Sequence, residues 1–482
     1  MSSILFIAFP LLFGFAVPIL NKFGKNAVAY GSTAMQMFLL YLAYVLFTTQ
    51  SGHVEIISIA PPLGISFVLN KASLLFVGLF TLLINLFSLY YLEYRKTNAF
   101  KDENKFFILL NMLFASTIGL VLSSDIFNIY VFFEIAGVSA YILTAYEKNA
   151  KALEAGLKYL ITGAVASVFL IFAIFLIYIH IGSLNLAVIA QNFGDLSSGI
   201  KMLISILLLV GFGFKVEIFP FNFWVSDVYQ GSTSIINALF SGLVVKAYIF
   251  VFFHIAYLFL PEGNFVLFLG YMGVISMLVA EFTVLRQNHL KRLFAYSSLG
   301  QVAMIFMAFA LQTPEAVQAA FFVMIAHSIA KFTLFFAITS IHKEHKSYDV
   351  DTLKELNSPF LRVVMLISML SLLGIPIFAG FIGKMLILKS LASNGFILML
   401  ILMVFASFIE AIYYFRISGY MFSKGKKREK LKIGFLQKFV FVFLSSLIII
   451  IGIAPFVISG FLQEAANVML DSQSFINLLG GL

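Results

Sequence analysis

The sequence predicts an all-α polytopic membrane protein of about fourteen transmembrane helices, and three observations carry that reading. Of 482 residues, 61% are hydrophobic and only 11% charged, against about 25% charged in a soluble domain. Apolar runs of roughly the 20 residues needed to cross a bilayer recur along the chain, and no polar stretch between them is long enough to fold alone. The cations gather in alternate connections, so the net charge of +9 reports membrane topology rather than a nucleic-acid surface.

In order, the spans read 3–20, 28–48, 72–94, 106–123, 125–146, 154–181, 200–228, 232–258, 263–283, 289–311, 315–342, 359–388, 394–421 and 436–462. The first lacks a basic leader and holds Pro10 and Pro18, so a membrane helix is expected there rather than a cleaved signal peptide. Residues 49–71 alternate well enough for a short hairpin. The odd-numbered connections carry Lys22 and Lys25, then Arg95, Lys96, Lys101 and Lys105, then Lys148 and Lys151. Farther on they carry Arg286, Lys291 and Arg292, then Lys343, Lys346 and Lys354, and finally the run Lys424 to Lys432. The seventh, VYQGSTS, has none, and the even-numbered ones are nearly free of them. The positive-inside rule then places both termini on the outer face of a prokaryotic cell membrane.

Two spans are interrupted. The seventh holds Pro220 in GFGFKVEIFPFNFWVSD, and the twelfth clusters Gly374, Pro376 and Gly380. Proline removes a backbone donor and frees a carbonyl about a turn earlier, which in lipid must be satisfied by protein or water. Breaks at matching places in two halves predict inverted five-helix repeats, spans four to eight and nine to thirteen, lining an ion path. The expected division is 1–105 for the first three spans and the hairpin, 106–258 and 259–421 for the repeats, and 422–482 for a basic loop and the last span.

Glu134, Lys215, Lys246, Lys331 and Lys384 lie inside these apolar runs. Each charge at mid-bilayer opposes insertion by about 2.5–3.5 kcal/mol, so a passive anchor would not hold five. Glu134 lies nine residues beyond Asp125, roughly 13 Å along a helix and so near mid-membrane. His327 and Lys331 stand at i and i+4 on one helix face, where they are expected to form a hydrogen-bonded relay. With no Cys, thiolate-held iron–sulfur clusters and disulfides are excluded, and His180, His254 and His327 fall on three different spans without a bis-His haem spacing. No cofactor or metal is expected in this chain.

The chain also resembles the antiporter-like proton-pumping subunits of complex I. The resemblance rests on KVEIFPFNFWVSDVYQGSTS, DIFNIYVFFEIAGVSAYIL, LKRLFAYSSLGQVAMI, HSIAKFTLFF and GIPIFAGFIGKMLILKSL followed by IEAIYYFRI, in that order over about residues 70–425. DVYQG and GFIGKM are most similar to the subunit N type. The few residues after the last span imply no long lateral helix of the L type. Asn222 and Ser226 stand where the family pattern has His and Pro, and Asn cannot carry a proton at physiological pH.

The resemblance makes Glu134 the partner of Lys215, Lys246 the middle station, and Lys384 the group at the exit to the outer face. It implies that Asp227 anchors the end of the first broken helix. Glu217 is a candidate counter-charge at the break, and Glu410 is deep but without an assigned role. As a whole it implies a proton-translocating membrane subunit of a complex-I-type redox-driven pump. Its partners would be homologous antiporter-like subunits, small membrane subunits, lipid, and peripheral redox subunits holding iron–sulfur clusters and flavin. Two alternatives stay open: a D-type subunit of a multisubunit Na+/H+ antiporter without redox drive, and a non-conducting scaffold of the same fold.

Overall fold

The computed structural model describes residues 3–24, 26–49, 53–57, 64–260, 264–423 and 431–480. Their helices are, in order, α1 (Leu5–Leu20), α2 (Ala27–Thr49), α3 (Lys71–Asn98), α4 (Glu103–Leu122), α5 (Ile126–Thr144), α6 (Ala150–Ile181), α7 (Leu186–Asn192), α8 (Ser198–Lys215), α9 (Val225–Gly231) and α10 (Ser234–Leu239). There follow α11 (Val245–Phe259), α12 (Phe265–Val284), α13 (Leu290–Ala310), α14 (Pro314–His345), α15 (Pro359–Leu373), α16 (Ala379–Ser393), α17 (Ile397–Phe422), α18 (Phe435–Ile453), α19 (Phe456–Leu470) and α20 (Ser472–Gly480). Among the described residues, thirteen helical stretches are long and apolar enough to cross a membrane. The span expected at 359–388 is not among them, because it is divided into two shorter helices, α15 and α16.

The two expected interruptions are real breaks in the helical backbone. Between α8 and α9, residues 216–224 leave the helix, with Glu217 at φ 62°. Between α15 and α16, Gly374 and Ile377 take φ 82° and 83°. The orphaned groups find protein partners, as a lipid-embedded chain requires. Phe219 N–H donates to Ser276 Oγ at 3.2 Å, and Leu372 O and Leu373 O accept from Gln301 Nε2 and Lys384 Nζ, each at 3.2 Å. A third irregularity has no warning in composition: Phe240–Val244 forms a π turn between α10 and α11. Such a turn releases carbonyls from the ordinary ladder. Here Ser241 O accepts from Lys246 Nζ and Gly242 O from Ser328 Oγ.

Alternate connections gather on opposite faces. One cavity of about 370 Å³ is lined by Tyr94, Glu147, Lys151, Gln230, His289 and His342, among others, from the third, fifth, seventh, ninth and eleventh connections and the helix ends beside them. At the other face β1 (His53–Ile57) and β2 (Ile65–Leu69) pair antiparallel, His53 opposite Leu69. Phe67 bridges Ser123, and Asp125 bridges Asn185, tying that hairpin to the fourth and sixth connections. The hairpin's tip, 58–63, and the basic run 424–430 lie outside the described residues.

The last span ends earlier than its apolar pattern suggests. The run 436–462 divides at Pro455, where α18 has already stopped at Ile453 and α19 begins as a separate helix packed on α3 and α14. Proline lacks the N–H that would continue the ladder, while apolar residues on both sides hide the boundary.

Burial sorts the helices. The apolar windows of α10–α11 and α14 are wholly enclosed by protein and that of α13 is 94% buried, whereas in α1 only 28% is. Lys246 and Lys331 therefore stand on helices with no lipid-facing side along which a long side chain could snorkel.

Candidate functional site

The bundle holds a row of ionisable side chains, linked from Lys246 onward by inter-helix hydrogen bonds and one-turn steps along a helix. At the end of α8, Lys215 is 2% exposed. Its Nζ donates to Tyr141 Oη at 2.5 Å and lies 5.1, 4.5, 5.3 and 5.7 Å from the ring centroids of Phe133, Tyr141, Tyr159 and Tyr248. A ring of aromatic faces stabilises a cation without supplying an anion. Glycines make the room: a Cβ at Gly163 would lie 1.7 Å from Tyr141 Oη, and one at Gly137 3.0 Å from Lys215 Nζ. Glu134 is within electrostatic reach of Lys215. Its Oε1 is buried without a hydrogen-bond partner, and no ion pair within 4.0 Å joins the two among the described residues. The hydrogen bond of the Lys215 ammonium goes to Tyr141 rather than to Glu134.

At the next station Lys246 Nζ donates to Ser241 O at 2.6 Å and lies 2.5 Å from His327 Nδ1. His327 Nε2 and Glu217 Oε2 are buried and unpartnered, and Glu217 is within electrostatic reach of both Lys246 and Lys331. The expected His327–Lys331 pair does not form. The two share a face of α14 but bond in different directions, His327 to Lys246 of α11 and Lys331 to Phe294 and Ser297 of α13. Lys331 Nζ donates to Phe294 O at 2.9 Å and Ser297 Oγ at 2.8 Å. Ser297 Oγ lies 2.6 Å from Tyr414 Oη on α17. One turn before Tyr414, Glu410 forms an ion pair with Lys384 of α16 and accepts from Gln301 Nε2 at 2.8 Å.

Around this row, Asp227 joins Arg292 at 2.6 Å and Lys158 at 2.8 Å, tying α9 to α13 and α6. Asn222 is half-buried in the first break, its carbonyl accepting from Val225 N–H at 3.1 Å. Pro220 lies in the same break and Pro376 in the second. Lys291 Nζ donates to Ser232 O at 2.7 Å and sits 4.1 Å from the Tyr348 ring centroid. Among the described residues no group of three His, Asp or Glu side chains is placed to hold a metal ion.

Sequence reasoning passed over Tyr141, Ser297, Gln301, Tyr414 and Glu281. Tyr141 lies seven residues from Glu134 on one helix face, and Tyr414 four from Glu410, spacings that in principle flag both. Glu281 is a carboxylate in an apolar run, like Glu134, but falls near the end of its span and so passes for an interfacial group.

These features define a class: a multi-pass membrane helix bundle with two broken helices and a protein-enclosed row of lysine, glutamate and histidine side chains. A family model described as "NADH:quinone oxidoreductase/Mrp antiporter, TM" matches residues 123–410, more than half the chain, and the chain belongs to that family. It is 29% identical to an NADH-quinone oxidoreductase subunit N from Bacillus anthracis, over 78% of each chain. With an F(420)H(2) dehydrogenase subunit N from Methanosarcina mazei it shares 27% identity over 94% of each. Among solved structures, a chain of the membrane-bound sulfane sulfur reductase, an archaeal respiratory membrane complex, superposes with a TM-score of 0.93 at 30% identity, covering 99% of both chains.

Proposed function

We propose that this chain is a proton-translocating membrane subunit of a redox-driven pump, with its redox centres in partner subunits. The observation that carries the reading is the row from Glu134 through Lys215, Lys246, His327 and Lys331 to Glu410 and Lys384. All are at least partly buried, and they are linked from Lys246 onward by hydrogen bonds and single helical turns. A row of buried ionisable groups in membrane helices opposes insertion and is retained for transport. The redox names of its relatives support redox drive over a free-standing antiporter.

In this reading, a change in partner subunits moves Glu134 relative to Lys215. A carboxylate nearby favours the loaded ammonium, and its withdrawal favours proton release toward Lys246. Lys246, His327 and Lys331 pass the charge on, and Lys384 releases it at the outer face. The two broken helices are corresponding parts of inverted repeats, with Lys215 beside one break and Lys384 beside the other. The basic connections, and the cavity between them, face the cytoplasm of a prokaryotic cell and supply protons by water.

The test is to purify the intact assembly through a tag on this chain. Co-purifying iron–sulfur subunits, and vesicle acidification driven by their substrate without added Na+, are the expected results. Recovery of only small membrane subunits, with exchange that requires Na+ and no electron donor, would overturn the reading in favour of an antiporter.

A further inference from the structure

Glu281 on α12 is fully buried, at 0% exposure, and neither of its carboxyl oxygens has a hydrogen-bond partner. Within electrostatic reach of it are Glu410 and Tyr413 from α17, Lys384 from α16 and Lys331 from α14. From α13, packed along α12, the facing residue is Gly300, where a Cβ would lie 2.1 Å from Glu281 Oε1. A space has thus been kept for a carboxyl group that accepts no hydrogen bond, and the Tyr413 hydroxyl near it is likewise without a partner. Glu410 already holds both the Lys384 ammonium and the Gln301 amide. A second, unpaired carboxylate beside it would meet both the desolvation penalty of a lone buried charge and like-charge repulsion.

We propose that Glu281 is a proton-holding station of the second half of the chain, a neutral carboxylic acid that exchanges its proton with the Glu410–Lys384 pair. The inference rests on the proton-pump reading above. The cycle balances. In the resting arrangement Lys331 is neutral, Glu281 protonated, Glu410 ionised and Lys384 an ammonium. A proton arriving on Lys331 makes a second ammonium within reach of Glu281, which favours its carboxylate, and Glu281 passes its proton to Glu410. Glu410, now neutral, no longer holds the charge on Lys384, which releases a proton to the outer side. Lys331 then passes the proton that entered on it to Glu281, and Glu410 passes the one it took from Glu281 to Lys384. One proton has entered and one has left, with every group restored.

The test uses the intact assembly in proteoliposomes, with Glu281→Gln, Glu281→Asp and Lys215→Ala compared with wild type. Glutamine reproduces the shape and neutrality of the protonated acid, so Glu281→Gln is expected to assemble normally, lose redox-driven proton pumping, and lose one carboxylic-acid carbonyl band from the infrared spectrum at neutral pH. In Glu281→Asp that band should shift and part of the pumping return. Wild-type pumping in Glu281→Gln would overturn the proposal, as would an unchanged band. Failure of Glu281→Gln to assemble would also overturn it, marking Glu281 as a permanently ionised structural counter-charge. Lys215→Ala separates the two ideas. Pumping lost there but intact in Glu281→Gln defeats only this inference, whereas pumping intact in both defeats the wider reading.

Discussion

At the scale of single residues, Lys215 shows how a charge is kept in an apolar bundle without being fixed there. Four aromatic rings and one hydroxyl surround its ammonium, while Glu134 remains near but unbonded to it. A hydrogen bond to a charged group is worth about 1.5–3 kcal/mol. Tyr141→Phe, which keeps the ring and drops the hydroxyl, is therefore expected to slow pumping by about tenfold, taking about 1.4 kcal/mol of that as lost from the transfer step. Acidification rates in proteoliposomes measure this, and an unchanged rate would reduce Tyr141 to packing. The room for that hydroxyl comes from Gly163, where an added Cβ would sit 1.7 Å away. Overpacking costs about 1–3 kcal/mol, so Gly163→Ala should lower the thermal midpoint of the assembly, and Tyr141→Phe in the same chain should partly restore it.

At the scale of elements, irregular backbone does the positioning. Each break or π turn frees carbonyls, and two of the lysines in the row, Lys246 and Lys384, are among the donors that satisfy them. Gln301 serves the second break twice, through Leu372 O and Glu410. Gln301→Leu should therefore destabilise the chain by about 1–3 kcal/mol, the cost of leaving buried acceptors unmet, read as a lower thermal midpoint. The two breaks were legible in the sequence because Pro220 and Pro376 interrupt otherwise apolar runs. The π turn was not, since FSGLV is ordinary helix composition and the close approach of the Phe332 ring to Gly242 is a tertiary contact that spacing does not reveal. Lys215, Lys246, Lys331, Lys384 and Glu134 stood out because a charge in an apolar run is an anomaly of composition. Tyr141, Ser297 and Tyr414 did not, because hydroxyls in such runs look like packing, and the direction each one bonds is decided by a neighbouring helix rather than by spacing. His327 and Lys331 illustrate the limit: their i, i+4 spacing placed them on one face, and tertiary structure then sent them to different partners.

At the scale of the whole molecule, the alternation of basic and neutral connections becomes two faces of a bundle, with the row of ionisable groups running between its helices. The chain has no cysteine, so single cysteines report topology without a background. Lys101→Cys is expected to react with a membrane-impermeant maleimide only in inverted vesicles, and Ser197→Cys only in right-side-out ones; the opposite pattern would reverse the orientation and the direction of release. The central claim, that protons cross by way of the buried row, is tested most directly by redox-driven acidification in the reconstituted assembly carrying Lys215→Ala or Lys384→Ala. Each substitution alone is expected to abolish pumping while the assembly stays intact, and wild-type proton transfer in both would show that protons take another route.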